Sequence, residues 1–454
     1  MLQIFVLLFF FLFYSISISA PISSHVEPNK MDFHLHPQIQ IPDWLKDAVI
    51  YEIFLRSFSN DGKLHDIESR LSYLKKLGIT CVQLNSIFTL ERKSSAQQLS
   101  KLNLIRDHFN IDLEFGTKDT FKQLVQEMKL NQIKIILEWN LLSVSALHPL
   151  VQEKPEWFIR QENKTFFNLE KPEVQNYLIT IMEFWIKEFD IDGFYFTDTV
   201  QLNNDFLKQT QEKLTSIKKE FVLISNSTHP ENIHFTHAID DSSFLNIYKN
   251  LENFDSLSNK ISDLLEKEKN NYSADALIYR SLENSTTPRA SSSLENQFSP
   301  ASVLLLTFPG IPAIYNGQEI ASEIISNATS KNSINWKAQS KKNYDMLELY
   351  QKLIKIRQQN PALQRGQFFK LSAHPNTSIL IFARTYRDNV ILTAINFSNI
   401  SQKYLFKIPG IFQNEQQKIN LKPLFKGSHL KQIENEQVEL ELPAYGFQMW
   451  VRKQ

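Results

Sequence analysis

Carboxyl groups, histidines, one thiol and a set of Asn-X-Ser/Thr triplets are the residues of this chain that could do chemistry. The stretch IDGFYFTDTVQL, Ile191 to Leu202, reads as a buried strand entering a loop, with Asp192 ahead of the apolar run and Asp198 behind it. Successive side chains on a strand face opposite ways, so Asp198 and Thr197 reach the same end-on site only through a bulge. The other acids, Glu138, Asp192 and Asp241 among them, are expected to make ordinary hydrogen bonds or to face solvent. The histidines are scattered. HLHPQ, from His34, has the spacing of a metal pair but stands in a polar segment with no fixed scaffold, so neither a metal site nor a cofactor is expected. Cys81, the single cysteine, lies in the apolar run ITCVQL. A buried structural thiol is expected there, and an internal disulfide framework is ruled out.

The triplets place the chain in a compartment. They fall at Asn163, Asn226, Asn271, Asn284, Asn327, Asn376, Asn396 and Asn399, each a candidate glycosylation site. The start, MLQIFVLLFFFLFYSISISA, is an apolar run followed by small residues, which reads as a signal peptide or a membrane anchor over residues 1–20. Together these features predict a glycoprotein that is secreted or held on the extracellular face of the plasma membrane. Lys+Arg and Asp+Glu balance at 49 each, so no global field favours nucleic acid or an anionic membrane.

The elements that must position these groups follow from periodicity. Residues 21–42 read as a polar linker. From Asp43, short β-rich runs such as AVIYEIFL, ITCVQL, IKIILEW, DGFYF, FVLIS and PAIYNG alternate with segments of helical period such as DTFKQLVQEMKL. Repeated strand–helix units point to a parallel sheet, and about eight units over roughly 300 residues fit a closed (β/α)₈ TIM barrel. The barrel is placed at 43–362. Alternating runs such as TSILIFARTY and VELELPAYGFQMWVRK then predict a C-terminal antiparallel β domain over 363–454.

WLKDAVIYEIFLRSFSNDG, IESRLSYLKKLGITCVQLNSIF, FNIDLEFGTKDTFKQLVQEM, NLEKPEVQNYL, DIDGF and FPGIPAIYNGQEI resemble, in that order, the alpha-amylase/alpha-glucosidase family. The resemblance implies a catalytic-type barrel with an all-β C-terminal domain. Retaining hydrolysis in such a site uses two carboxyl groups about 5–5.5 Å apart. The resemblance implies degenerate positions here: Thr197 for the nucleophile, Tyr195 for the arginine before it, Asn226 for the acid/base, Ser285 and Thr286 for the third carboxylate's motif, Leu142 and Ser143 for the third-strand Asn and His. No catalytic residue is therefore expected. The excursion after the third strand is short, so the wall of the substrate cleft is expected to be largely missing.

Lost carboxylates, a short excursion and a retained β domain resemble the non-catalytic branch that forms the extracellular heavy chain of heteromeric amino-acid transporters. That resemblance implies an inactive glycoprotein acting by protein binding, with a membrane transporter light chain as partner. With no cysteine near the apolar start, the pairing would be non-covalent. The alternatives are an alpha-glucosidase or maltase-type glycoside hydrolase and a secreted carbohydrate-binding protein.

Overall fold

Eight short apolar runs pair side by side and in parallel. They are β1 (Ile50–Ile53), β2 (Cys81–Leu84), β3 (Lys134–Asn140), β4 (Gly193–Thr197), β5 (Val222–Asn226), β6 (Ala238–Asp240), β7 (Tyr279–Ser281) and β8 (Ile311–Tyr315). Their order is β6-β5-β4-β3-β2-β1-β8-β7, and a single parallel bridge, Ile239 to Ile278, joins β6 to β7. The expected (β/α)₈ barrel is thus formed, with β6–β7 as its thinnest seam. The computed structural model describes residues 39–452 other than 92–103, 163, 198–201, 228, 250–255, 274, 325–331, 338–339, 372–377, 414–417 and 435. The apolar start, the HLHPQ pair, Asp198 and the triplets at Asn163, Asn327 and Asn376 lie outside the described residues. Among those described, no helix is long and apolar enough to cross a membrane.

The helices wrapping the barrel form where the sequence carries both a start signal and an apolar stripe. In α1 (Lys118–Leu130) the Thr117 side chain accepts the Thr120 N–H, and Phe121, Leu124, Val125 and Met128 bury one face. In α2 (Pro172–Phe189) proline opens the first turn, and Val174, Leu178, Ile181, Trp185 and Phe189 share the buried stripe. Asp190 then closes the helix in a left-handed conformation and the chain enters β4 through Gly193. A Cβ at Gly193 would stand 2.4 Å from the Val222 carbonyl oxygen on β5, so β4 and β5 approach this closely only because the side chain is absent. Gly193→Ala is expected to destabilise the protein by about 1–3 kcal/mol, the usual cost of overpacking. Urea unfolding would read this, and an unchanged midpoint would contradict it.

Loops at the C-terminal ends of β2 and β3 build a second small sheet. Ile105–Ile111 pairs with Phe88–Leu90 and, in parallel, with Ser143–Val144, and the hairpin Phe158–Gln161/Lys164–Phe167 completes five strands. The short excursion therefore still carries an ordered wall, contrary to the expectation that it would be largely lost. Two of its strands come from the β2 loop, and Ile105 pairs with Val144 well along the chain.

Beyond the long α3 (Lys341–Gln359) and a short helix Pro361–Arg365, the C-terminal strands form two antiparallel sheets. Their facing sides enclose Ile379, Ile381, Leu392, Tyr404, Val438, Leu440 and Trp450. Leu380, Phe382, Ile391, Ile395 and Met449, on the opposite face by strand alternation, join the barrel's own core. Arg384, on that same side, donates from Nη1 to the Thr307 carbonyl at 2.8 Å and from Nη2 to that of Gly366 at 2.9 Å, which ties the β domain to the barrel's last helical layer.

Candidate active site

Strand parity decides what lines the barrel. Ile50, Cys81, Ile136, Tyr195, Val222, Ile224, Ala238, Tyr279, Ile311 and Ala313 form one buried cluster across the eight strands. Side chains two residues further along each strand face the same way, nearer the C-terminal mouth. They include Glu52 on β1, Gln83 on β2, Glu138 on β3, Thr197 on β4, Asn226 on β5 and Asp240 on β6. The interior thus passes from an apolar floor to a polar layer containing three carboxyl groups.

Those carboxyl groups are tied together by neutral donors. Glu138 Oε2 accepts from Asn85 Nδ2 at 2.6 Å and from Gln83 Nε2 at 3.2 Å, while Gln83 Oε1 accepts the Tyr279 hydroxyl at 2.9 Å. Asp240 Oδ2 accepts the Tyr195 hydroxyl at 2.6 Å, and its Oδ1 accepts the Ser242 N–H at 2.8 Å. Ser242 itself sits at φ 54°, a left-handed conformation that costs a non-glycine residue energy and here holds the turn under Asp240. No Lys or Arg among the described residues forms an ion pair with Glu52, Glu138 or Asp240.

Without a countercharge, burial governs the protonation of these acids. Desolvation raises Glu52 well above the ordinary carboxyl range, and the Glu138 carboxylate beside it pushes in the same direction. Burial also raises Glu138, against the lowering effect of its Asn85 and Gln83 donors. Asp240 is raised by burial too, against its hydrogen bonds from Tyr195 and Ser242. Elsewhere, Glu283 is also buried but is paired with Arg289 at 3.1 Å and caps Ala290, which makes it part of the scaffold beyond β7.

The degenerate positions fall as follows. Thr197 is half-buried at the end of β4, opposite Asn140 in register. Asn226 ends β5 opposite Asp240, and its Nδ2 donates to the Asp240 carbonyl and to Ser242 Oγ, both at 3.3 Å. Tyr195 turns inward and reaches Asp240. Thr286 is exposed in the turn after β7, where its N–H and hydroxyl both donate to Asn284 Oδ1. Leu142 and Ser143 are buried, and the Ser143 N–H donates to Asn140 Oδ1 at 3.1 Å. The structure therefore sets Tyr195, Thr197 and Asn226 on the inward-facing side of β4 and β5, with Thr286 in the exposed turn after β7 and Ser143 buried just beyond the end of β3. Sequence reasoning missed Glu52 and Asp240. Their inward direction follows from parity with the floor residues Ile50 and Ala238, which the short, wholly buried strands do not mark in the sequence.

Cys81 is buried at the barrel floor, and burial pushes its thiol up, away from reactivity. Among the triplets, Asn396 is fully buried and its Nδ2 donates to the carbonyls of Ile400, Leu442 and Pro443, so in the folded protein it is a structural amide. Asn399 is exposed, and Asn271 and Asn284 are half-buried. Asp61, His65 and Asp66 lie near one another at the surface, but Asp66 is already engaged by Ser59 and the Lys63 N–H.

A family model described as the catalytic domain of alpha amylase matches residues 50–154. A maltogenic alpha-amylase of Bacillus acidopullulyticus is 25% identical over 433 residues, covering 80% of this chain and 72% of that protein. A cyclomaltodextrinase of Geobacillus thermopakistaniensis is 25% identical over 425 residues, covering 79% and 70%. An intracellular maltogenic amylase of Bacillus subtilis is 23% identical over 444 residues, covering 84% and 74%. In fold, the chain matches a solved alpha-amylase from Geobacillus thermoleovorans with a TM-score of 0.78 at 23% identity, over 90% of this chain and 99% of that one.

These relatives are named as amylolytic enzymes. That overturns the expectation of an inactive pseudoenzyme and of a transporter heavy chain, and one relative named as intracellular runs against a secreted glycoprotein. The physical reason is that carboxyl groups are lost at the inherited positions Thr197, Asn226 and Thr286, whereas the barrel interior holds others, Glu52, Glu138 and Asp240.

Proposed function

We propose that this chain, whose barrel is that of the alpha-amylase family, hydrolyses alpha-linked glucose oligosaccharides at the C-terminal mouth of that barrel. The observation that supports the reading is the pair Glu138 and Asp240, both facing the barrel axis in a polar layer with no paired cation. Glycoside hydrolysis needs one carboxyl group to protonate the departing oxygen and a second to take the proton from the attacking water, directly or after a covalent intermediate. Glu138 fits the first role. Its Oε2 is anchored by two amides, and no described residue bonds Oε1, which leaves that atom for the substrate. Asp240 fits the second: it faces the same polar layer, and the donors on both of its oxygens oppose the burial that raises its affinity for a proton.

The balance is complete with these groups. The proton leaves Glu138 for the glycosidic oxygen as the bond to the anomeric carbon breaks and its electron pair stays on that oxygen. Water then supplies hydroxide to the carbon and a proton to Asp240. Incubation of the purified protein with maltotriose, a cyclomaltodextrin and an aryl alpha-glucoside is expected to release glucose or maltose from at least one of them. Glu138→Gln is expected to lower that rate by about 10²–10⁴-fold. Absence of turnover on all three would defeat the reading.

A further inference from the structure

The mouth contains one carboxyl group that the hydrolytic scheme does not use. Glu52 is 4% exposed, on β1, and the Asn85 amide that donates to Glu138 also serves Glu52. Among the described residues, the ionisable groups that act on it are acidic or phenolic: Glu138 from β3, Asp240 from β6, Tyr279 from β7 and Glu283 just beyond. Arg289 pairs with Glu283 and also acts on Glu319 and Tyr51, but forms no ion pair with Glu52. Two carboxylates on one buried amide without a cation would repel at close range in a poorly solvated interior. A second observation points the same way: Asn85 Oδ1 is buried and has no donor. A carboxylic acid beside it is the kind of donor that atom lacks, and an ionised pair provides none.

We propose that Glu52 and Glu138, bridged by Asn85, retain one proton between them at neutral pH, with Glu52 as the buried store and Glu138 Oε1 as the point of delivery to the sugar. Glu52 is then a positioning residue for a proton and does not itself touch substrate. The donor role rests on the hydrolytic reading above, whereas the retained proton does not. Burial supports the arrangement by raising both acids from their ordinary value of 4.5. Because the two sites interact, the titration belongs to the pair.

The sign of the pH effect follows. Between the unfolded value and the raised folded one, the native protein binds more protons than the unfolded chain, so stability falls as pH rises through that window. Removing one member leaves Glu138 as a single acid with two amide donors, so its affinity for a proton drops. Infrared difference spectra of the whole protein at neutral pH are expected to show a protonated-carboxyl carbonyl band that disappears in Glu52→Gln. The same variant is expected to shift the alkaline limb of kcat/KM to lower pH and to flatten the fall in stability with pH. A band that survives in Glu52→Gln and in Glu138→Gln but vanishes in Asp240→Asn would put the proton elsewhere and overturn the proposal. A wild-type spectrum without the band would overturn it as well. Because the band is read without substrate, its loss in Glu52→Gln in a protein that turns over no sugar would retain the proton and sink only the hydrolytic reading.

Discussion

Asp240→Asn is expected to lower kcat on maltooligosaccharides by about 10²–10⁴-fold, the range that general acid–base participation usually contributes. The substitution is close to isosteric, and the amide can still accept the Ser242 N–H through its oxygen. What it loses is charge, along with the second acceptor that the Tyr195 hydroxyl now uses at 2.6 Å. A group that only braces the barrel would show its loss in thermal unfolding. A group that takes a proton from water would show it in kcat, with KM changed far less. Measuring both separates the two roles, and an unchanged kcat in a normally folded variant would remove Asp240 from the mechanism. Three positions then read as one connected set. Tyr195 stands where the family carries an arginine and aims its hydroxyl at Asp240, while Asn226 ends β5 beside Asp240 and holds its backbone.

This connection explains what was legible in the sequence and what was not. The barrel was legible because helical stripes such as Phe121, Leu124, Val125 and Met128 recur between short apolar runs, and the β domain because its strands alternate. The acidic layer was not, because β1 and β6 are only four and three residues long and wholly buried. With both faces covered there is no apolar–polar alternation to show which way Glu52 or Asp240 points. Glu138 was expected to make ordinary hydrogen bonds, and it does, to Asn85 and Gln83; what those bonds leave open, Oε1, depends on packing. The five-stranded wall was hidden for a different reason. Ile105 pairs with Val144, and pairing across such a distance leaves no local pattern.

Arg280→Ala is expected to cost about 3–5 kcal/mol, the range for stripping one partner from a buried ion pair. Arg280 on β7 is 2% exposed and grips Glu268 with both terminal nitrogens, at 2.6 and 2.7 Å, while its Nε donates to the Pro309 carbonyl at 2.8 Å. Glu268 belongs to the helix Leu257–Asn271, so this fork pins β7 to the layer outside it. The location raises the consequence. β7 meets β6 through one bridge, and the two strands carry Tyr279 and Asp240 into the polar layer. Against a total stability of roughly 5–15 kcal/mol, such a loss would leave the seam frayed or the protein unfolded at ordinary temperature. The double replacement Arg280→Met/Glu268→Leu removes both charges and refills the space, and is expected to recover most of the stability. Urea midpoints of the two single variants and the double variant decide the matter: if Arg280→Ala costs less than about 1 kcal/mol, as exposed pairs do, the fork does not hold the barrel shut.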